Sequence, residues 1–189
     1  FGSSTLTNSY ASGQVTGNGE TAGLIGFAAD GVTVKASFWD QDSTGQKTSA
    51  AGTSIRSRTV TINAYSQDTY GTKDGGSWNG FDFDNDWFMI EGQTRPFLRS
   101  EYSTNIRTAN QLQLMSMDPG ADYTLARDID LIAPLANPSG MWAGTVSDGV
   151  FQGSFVPIGT GLESNDPVSF SGSFDGTGKT ISSLTITRP

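Results

Sequence analysis

The chain has neither cysteine nor histidine among its 189 residues. Without cysteine it can form no disulfides, no thiolate nucleophiles and no zinc sites with cysteine ligands. Without histidine it can form no Ser-His-Asp relay and no metal site with imidazole ligands. Any catalysis would therefore depend on carboxylate pairs, lysine, tyrosine or a calcium-assisted lyase reaction.

Basic residues are also scarce, because 11 Lys and Arg stand against 19 Asp and Glu, giving a formal net charge of −8. A surface of this sign repels nucleic-acid phosphates and anionic membrane surfaces. No apolar run in the sequence approaches the ~20 residues that a membrane-spanning helix needs. We therefore expect no nucleic-acid partner and no membrane insertion.

Glycine, serine and threonine are frequent instead. The chain has 24 glycines, charged residues make up only 16% of it, and long runs of helix-forming residues are missing. This composition favours short strands joined by many turns. One short helix is predicted from Ala109 to about Met115, with Thr108 as its N-cap and the turn Asp118-Pro119-Gly120 after it.

Two stretches near the N-terminus repeat each other, Phe1 to Ala11 and Phe27 to Trp39. With a two-residue insertion, Leu6, Ser9 and Tyr10 align with Val34, Ser37 and Phe38. A third, imperfect copy is formed by Phe174 to Gly178 and the following Thr180 to Thr187, and alternating residues predict a further strand at Arg58 to Asn63. Short repeated strands bury their apolar faces by stacking on one another, as in a β-solenoid.

Three motifs in the first quarter of the chain carry a resemblance to a known family. They are Gly23-Leu24-Ile25-Gly26, Ser37-Phe38-Trp39-Asp40 and Ser43-Thr44-Gly45-Gln46. They resemble the GLUG repeat of large bacterial surface and secreted proteins, which include filamentous-haemagglutinin-like adhesins and some immunoglobulin A peptidases. The stretches that resemble sequence accompanying such repeats are Trp78 to Leu98, Tyr123 to Leu131, Phe155 to Gly159, Phe170 to Gly176 and Ile181 to Ile186.

The resemblance covers most of the chain and implies an all-β fold: a right-handed parallel β-helix (β-solenoid) fragment with one short helix. Residues 1–100 resemble the closing coils of one GLUG-type block, and residues 101–189 resemble the opening coils of the next. The two blocks could also form one continuous β-helix. Bare coil ends would be capped by terminal segments of the chain or would associate end to end.

Three alternating carboxylates, Asp82, Asp84 and Asp86, suggest a calcium site, because calcium prefers hard oxygen ligands. The segment does not fit an EF-hand loop, since Trp87 stands where that loop needs glycine and Gln93 where it needs glutamate. The alternative is an extended segment with a buried aromatic face and a solvated acidic face. Calcium is the only cofactor that the sequence suggests, and the second interpretation needs none.

Two further patterns suggest chemistry. Gly176 to Thr180 ends like a phosphate-binding loop, but Ser173 occupies the position of its first glycine and a β-branched strand follows, which favours a simple turn. Similarly, Gly159-Thr160-Gly161 lacks a third glycine. The pairs Asp40/Asp42 and Asp128/Asp130 could supply a carboxylate couple for glycan cleavage, but such pairs are usually solvated surface groups.

The four tryptophans, Trp39, Trp78, Trp87 and Trp142, could serve as stacking platforms for a carbohydrate or could fill the core. Trp142 is the candidate ligand-binding residue, because it lies in the longest predicted loop, Ala133 to Gly149, which is rich in Pro, Gly and Trp.

The resemblance implies a non-catalytic structural or adhesive segment of a large bacterial cell-surface or secreted adhesin. Its partners would be a host glycan or matrix protein and the neighbouring repeats of the parent chain. One alternative is an accessory β-helix of a secreted polysaccharide-active enzyme or surface peptidase, since a fold alone does not fix a function. Another is a calcium-stabilised surface domain.

Overall fold

A computed structural model of the chain describes residues 3–55, 73, 78, 80–159 and 169–187. The chain divides into two compact units, Phe1–Asp82 and Phe83–Pro189. The division lies between Asp82 and Phe83, whereas the sequence predicted a boundary at residue 100. The predicted strand at Arg58 to Asn63 and the residues Thr160 and Gly161 lie outside the described residues.

Among its described residues, the first unit contains a parallel sheet of three strands in the order β1-β2-β3. The strands are β1 (Ser4–Ala11), β2 (Val32–Asp40) and β3 (Thr53–Ile55). In the register of β1 and β2, Leu6 faces Val34, Ser9 faces Ser37 and Tyr10 faces Phe38. These are the pairs that the sequence repeat aligns, so the parallel stacking of the two copies is confirmed.

The two copies also share an unusual backbone feature. Asn8 and Ala36, at equivalent points of β1 and β2, both have a positive φ, 50° and 41°. Immediately after this bend, the Ser9 hydroxyl donates to the Thr7 carbonyl at 2.9 Å, and the Ser37 hydroxyl donates to the Lys35 carbonyl at 2.8 Å. The repeat therefore encodes a bend with its own side-chain hydrogen bond as well as an alternating pattern.

An aromatic cluster packs against the stacked copies. The ring of the fully buried Trp78 lies 5.2 Å from that of Tyr10, 5.9 Å from that of Phe38 and 5.3 Å from that of Phe81. The contacts with Tyr10 and Phe38 are edge-to-face, the geometry that aromatic quadrupoles favour. The aligned pair Tyr10 and Phe38 is thus held together by one tryptophan.

In the part of the second unit that the structure describes, the chain forms nine short strands. They are β4 (Trp87–Phe88), β5 (Phe97–Leu98), β6 (Asn105–Ile106), β7 (Asp122–Leu125), β8 (Ile129–Asp130), β9 (Gly144–Ser147), β10 (Val150–Gly153), β11 (Ser173–Asp175) and β12 (Ile181–Ser182). Strands β11-β7-β6 and β12-β8 form parallel sheets, whereas β4-β5 and β9-β10 are antiparallel pairs.

Helical turns occupy both units. The α-helices are α1 (Gln41–Thr44), α2 (Ala109–Leu114) and α3 (Ile132–Ala136), and single 3-10 turns lie at Arg99–Glu101 and Met115–Met117. The predicted helix at Ala109 is confirmed, because the Thr108 hydroxyl accepts a hydrogen bond from the Gln111 amide. The turn that follows it closes through the Ala121 amide and the Asp118 carbonyl. None of the described helices combines the length and the apolar character needed to cross a bilayer.

The core of the second unit lies between α2, the parallel strands and the segment after β10. Strand β7 alternates exposed and buried residues, so that Tyr123 and Leu125 point inward. Burial raises the pKa of the Tyr123 hydroxyl, and its hydrogen bond with Tyr102 acts in the same direction. The core residues are Phe88, Ile90, Phe97, Ile106, Leu112, Leu114, Met115, Tyr123, Leu125, Ile129, Leu131, Leu135, Trp142, Phe155 and Val156.

The predicted right-handed parallel β-helix is wrong. In the residues that the structure describes, strands form separate sheets of two or three, and no continuous solenoid joins them. A solenoid needs coils of similar length, but here paired strands are unequally spaced, from Phe38 to Thr53 in one case and from Tyr123 to Phe174 in another. Two of the sheets are antiparallel, which a parallel coil does not provide.

Two details of the predicted fold are corrected with it. The all-β class with one short helix is replaced, over the described residues, by a mixture of small sheets with three short α-helices. The third repeat copy forms only the short strands β11 and β12, which pair with β7 and β8 and not with the first two copies.

Candidate functional site

The GLUG-like motifs of the first unit build a corner of the fold. Asp40 is completely buried at the end of β2, where its carboxylate accepts hydrogen bonds from the Asp42 amide at 3.1 Å and the Ser43 hydroxyl at 2.8 Å. It thereby caps α1, which ends at Gly45 with φ 70°. These groups are satisfied by the corner itself, which is a structural role.

The other glycines and aromatics of these motifs close the same corner. The Trp39 indole donates to the Gln46 carbonyl at 3.1 Å, just after the end of α1. A Cβ added to Gly23 would lie 1.9 Å from the Trp39 ring, so only glycine fits there. The motif spacing is therefore explained by packing of glycine against tryptophan.

The second pair of carboxylates considered for catalysis, Asp128 and Asp130, accepts hydrogen bonds from backbone amides. Asp128 accepts from the Thr180 amide at 2.8 Å, which joins two layers of the second unit. Asp130 accepts from the Ile132 amide at 3.1 Å, and this hydrogen bond holds the pKa of its carboxyl below the ordinary value. Asp130 is thus an ionised turn residue, and a raised pKa, which a catalytic acid would need, is not found there.

The candidate calcium ligands lie around a turn. Residues 83–86 form the turn, with Asp82 half-buried and both Asp84 and Asp86 exposed. The Arg99 guanidinium closes it by donating to the carbonyls of Phe83 and Trp87. Within the described ranges, no group of three or more Asp or Glu side chains could hold a metal ion. Calcium binding by Asp82, Asp84 and Asp86 stays a prediction.

The phosphate-loop-like stretch is a tight turn. Thr177 and Gly178 both have positive φ, and the Thr177 amide donates to the Asp175 carboxylate at 2.8 Å. Strand β12 follows at Ile181, where a phosphate loop would need the N-terminus of a helix. The prediction of a simple turn is confirmed.

Trp142, the candidate ligand-binding residue, lies in the core. Its exposed fraction is 2%, its indole donates to the Gln113 side chain at 2.8 Å, and its ring packs against those of Phe97 and Phe155. A ring held in this way offers no face for stacking on a sugar, which corrects the expectation of a surface platform. Trp39, Trp78 and Trp87 are buried as well, as the core-filling alternative predicted.

The predicted loop Ala133 to Gly149 is corrected in part, because it contains most of α3 and the first strand of a β-hairpin, with residues 137–143 between them. Strands β9 and β10 are joined by Asp148 and Gly149, with φ of 52° and 77°. Two consecutive positive φ values are the signature of a type I′ hairpin turn, which Asp-Gly favours. We call α3 together with this hairpin, residues 132–153, the helix–hairpin.

The helix–hairpin presents apolar side chains to solvent. Ile132 is 62% exposed, Val150 58% and Val146 39%. Val146 pairs with Phe151 on one face of the hairpin, whereas Val150 pairs with Ser147 on the other. Both faces of the ribbon therefore carry an exposed aliphatic side chain that is available for contact with a partner.

The base of the helix–hairpin is rigidly held. At Gly153 an added Cβ would lie 2.7 Å from the Leu135 carbonyl, so β10 lies directly on α3. Ser154, Phe155 and Val156 are buried, and the backbone of Val156 both donates to and accepts from the side chain of Gln113. An exposed ribbon on a packed base is the arrangement that binding proteins use.

Sequence reasoning missed Gln113, the fully buried polar residue on which this base depends. Its oxygen accepts from Trp142 and from the Val156 amide, and its nitrogen donates to the Val156 carbonyl at 3.0 Å. No pattern in the sequence singles out this glutamine. The hairpin, in contrast, could have been predicted, because Asp148-Gly149 stands between short β-branched stretches.

No protein-family model, no curated protein and no solved structure matches the chain.

Proposed function

We propose that the chain is a non-catalytic, adhesive segment of a bacterial cell-surface or secreted protein, akin to GLUG-repeat adhesins, and that the helix–hairpin is its binding element. The single observation that carries this proposal is the exposure of Ile132 on α3 and of Val146 and Val150 on the hairpin, above a base that is buried. The GLUG-like motifs support it as a scaffold, because their residues are engaged in corners and stacking.

A matrix protein is a better partner for this surface than a glycan. The hairpin has two strands in the described residues, so each outer edge offers backbone amides and carbonyls to an added strand. An extended peptide can pair with such an edge while its alternate side chains contact Val146 or Val150. A glycan would need an aromatic platform, and the tryptophans lie in the core.

The test is a binding screen of the 189-residue chain against immobilised host matrix proteins and glycans, with hydrolysis products assayed in the same wells. Val150→Ser and Ile132→Ser are expected to weaken matrix binding by about tenfold each, since each removes roughly one buried aliphatic contact. Phe27→Ser is the matched control, because Phe27 is 75% exposed and lies in the other unit.

Binding that is lost in the helix–hairpin variants and kept in Phe27→Ser supports the proposal. Equal binding by all variants would show that the binding site lies outside the helix–hairpin. Turnover of any glycan or peptide would replace the adhesive function with an enzymatic one, and absence of binding to every surface would remove the adhesive function.

A further inference from the structure

A second apolar surface lies on the C-terminal layer, which we define as residues 169–187. Its side chains are mostly exposed, and they include Phe170, Phe174, Leu184 and Ile186, with exposed fractions between 37% and 49%. Its strands β11 and β12 each lie at the edge of a parallel sheet in the described residues. The layer therefore offers both apolar side chains and edge backbone groups.

The two edges of the sheet β11-β7-β6 differ in what covers them. At the other edge of the three-stranded sheet, Ile106 of β6 is fully buried, and α2 follows within three residues and adds Leu112 and Leu114 to the same core cluster. The C-terminal layer has no such covering helix among the described residues. Within the part of the chain that the structure describes, a helix thus covers one end of the core and leaves the other end open.

Charge identifies what fits the open end. The chain carries a net charge of −8, which opposes self-association over most of its surface. The C-terminal layer is an exception, because its only charged residues are Asp175 and Lys179, one of each sign. They flank the corner at Thr177 and Gly178, between the two edge strands.

We propose that the C-terminal layer is the interface of a symmetric dimer of this chain, with a two-fold axis through the corner at Thr177 and Gly178. The layer has two arms, β11 before this corner and β12 after it. The two-fold axis exchanges the arms, so that β11 of one copy lies antiparallel to β12 of its partner. It also brings Asp175 next to the partner's Lys179, and the same pair forms a second time. In an isologous interface of this kind, the C-terminal layer of each copy is covered by the same layer of its partner.

This geometry makes every feature of the layer complementary to itself. The apolar residues Phe174 and Leu184 are covered, the edge amides and carbonyls gain partners, and the two charges are compensated. A head-to-tail arrangement would instead place the open layer against the closed end formed by β6 and α2. The interface does not involve the helix–hairpin, so it stands apart from the adhesive function.

Sedimentation equilibrium of the 189-residue chain, from micromolar to millimolar concentration, tests the dimer. The mass is expected to rise from 20.0 kDa to twice that value and then to stay constant. Lys179→Asp places like charges opposite each other in both pairs and is expected to weaken the dimer by at least about tenfold. Asp30→Lys, at an exposed acidic residue of the first unit, is the control and leaves the dimer unchanged or slightly stronger.

A charge exchange separates pairing from damage to the fold. Lys179→Asp mixed with Asp175→Lys is expected to form a heterodimer about as stable as the native dimer, while each variant alone stays monomeric at the same concentration. Circular dichroism checks that both variants are folded, since Asp175 also accepts the Thr177 amide. A monomer at all concentrations, an open-ended increase in mass, or failure of the mixture to associate would overturn the proposal.

Discussion

Ala36 is held in a backbone conformation that suits few residues. Its φ of 41° lies in the left-handed region, as does the φ of 50° at the equivalent Asn8. For an alanine this conformation costs roughly 1–2 kcal/mol, because Cβ approaches the following carbonyl, whereas asparagine adopts it more readily. The repeat thus keeps the bend in both strands although only one copy has a residue suited to it.

We expect Ala36→Gly to raise the free energy of unfolding by about 0.5–1 kcal/mol, because the relief of the strained φ exceeds the added chain entropy of glycine. Urea unfolding measures it. Ala11→Gly is the matched control in β1, because Ala11 has no positive φ, and it should lower stability by about 0.5–1 kcal/mol. A loss of stability in both variants would contradict the strain at Ala36.

Gln113 is the buried residue whose removal should cost most in the second unit. Ala at this position leaves the Trp142 indole and the Val156 amide without their acceptor. Because each buried unsatisfied donor costs about 1–3 kcal/mol, we expect Gln113→Ala to lower the free energy of unfolding by roughly 3 kcal/mol or more. The exposed Gln152→Ala should change it by less than about 0.5 kcal/mol. A loss below about 1 kcal/mol for Gln113→Ala would show that water replaces the side chain.

At the scale of elements, local signals predicted local structure. The alignment of Tyr10 with Phe38 gave the correct register of β1 and β2, because stacked parallel strands place equivalent side chains side by side. Thr108 marked the start of α2, because a hydroxyl there satisfies a free amide. Pairs of neighbouring elements follow from such rules.

The solenoid prediction failed because it extended one pairing to the whole chain. The distance from Phe38 to its partner Thr53 and the distance from Tyr123 to its partner Phe174 depend on the segments between them, which local patterns do not fix. Trp142 was misplaced for a similar reason. Its surroundings are supplied by Phe97, Gln113 and Phe155, which are distant in sequence.

The hairpin turn of the helix–hairpin depends on Gly149. Its φ of 77° is unfavourable for most residues other than glycine, asparagine and aspartate, while an added Cβ would meet no atom within 4 Å. We therefore expect Gly149→Ala to lower the free energy of unfolding by about 1 kcal/mol through backbone strain alone. Gly176→Ala is the matched control, because its site is also open but its φ is not positive, and it should be neutral or slightly stabilising. Thermal melts measure the change in melting temperature of both variants. Equal changes would contradict the type I′ turn.

The start of α3 should respond to pH through Asp130. Its folded-state pKa is lowered, first by the Ile132 amide and then by the Ser183 and Ser182 hydroxyls. A lowered pKa contributes stability that is present above the unfolded value of about 3.9 and is lost as the pH falls through the folded value. Asp130→Ala should therefore lower the melting temperature at pH 7, and the difference from the native chain should vanish in acid. Asp130→Asn keeps the acceptor oxygen and should lose less at pH 7, and a difference that persists in acid would contradict this role.

At the scale of the whole molecule, the two compact units lead to a different boundary from the one that the sequence resemblance implied. The core of the second unit begins with Phe88 and Ile90 and includes Phe97, all of which precede residue 101. Trp142 also pairs with Thr94 through a β-bridge, and the Arg95 amide donates to the Met141 carbonyl at 2.8 Å. The segment from 83 to 100 is thus a structural part of the second unit.

We expect a fragment of residues 83–189 to unfold cooperatively on its own, because its core cluster lies within it. A fragment of residues 101–189, cut at the boundary predicted from the sequence, lacks three core aromatic or aliphatic side chains and Thr94, which forms the β-bridge with Trp142. Since each lost large side chain costs roughly 2–5 kcal/mol, this exceeds the usual stability of a small domain. Near-ultraviolet circular dichroism and urea unfolding of the two fragments measure the difference. A cooperative transition in the shorter fragment would place the boundary at residue 100, and none in either would mean that the second unit needs residues 1–82 to fold.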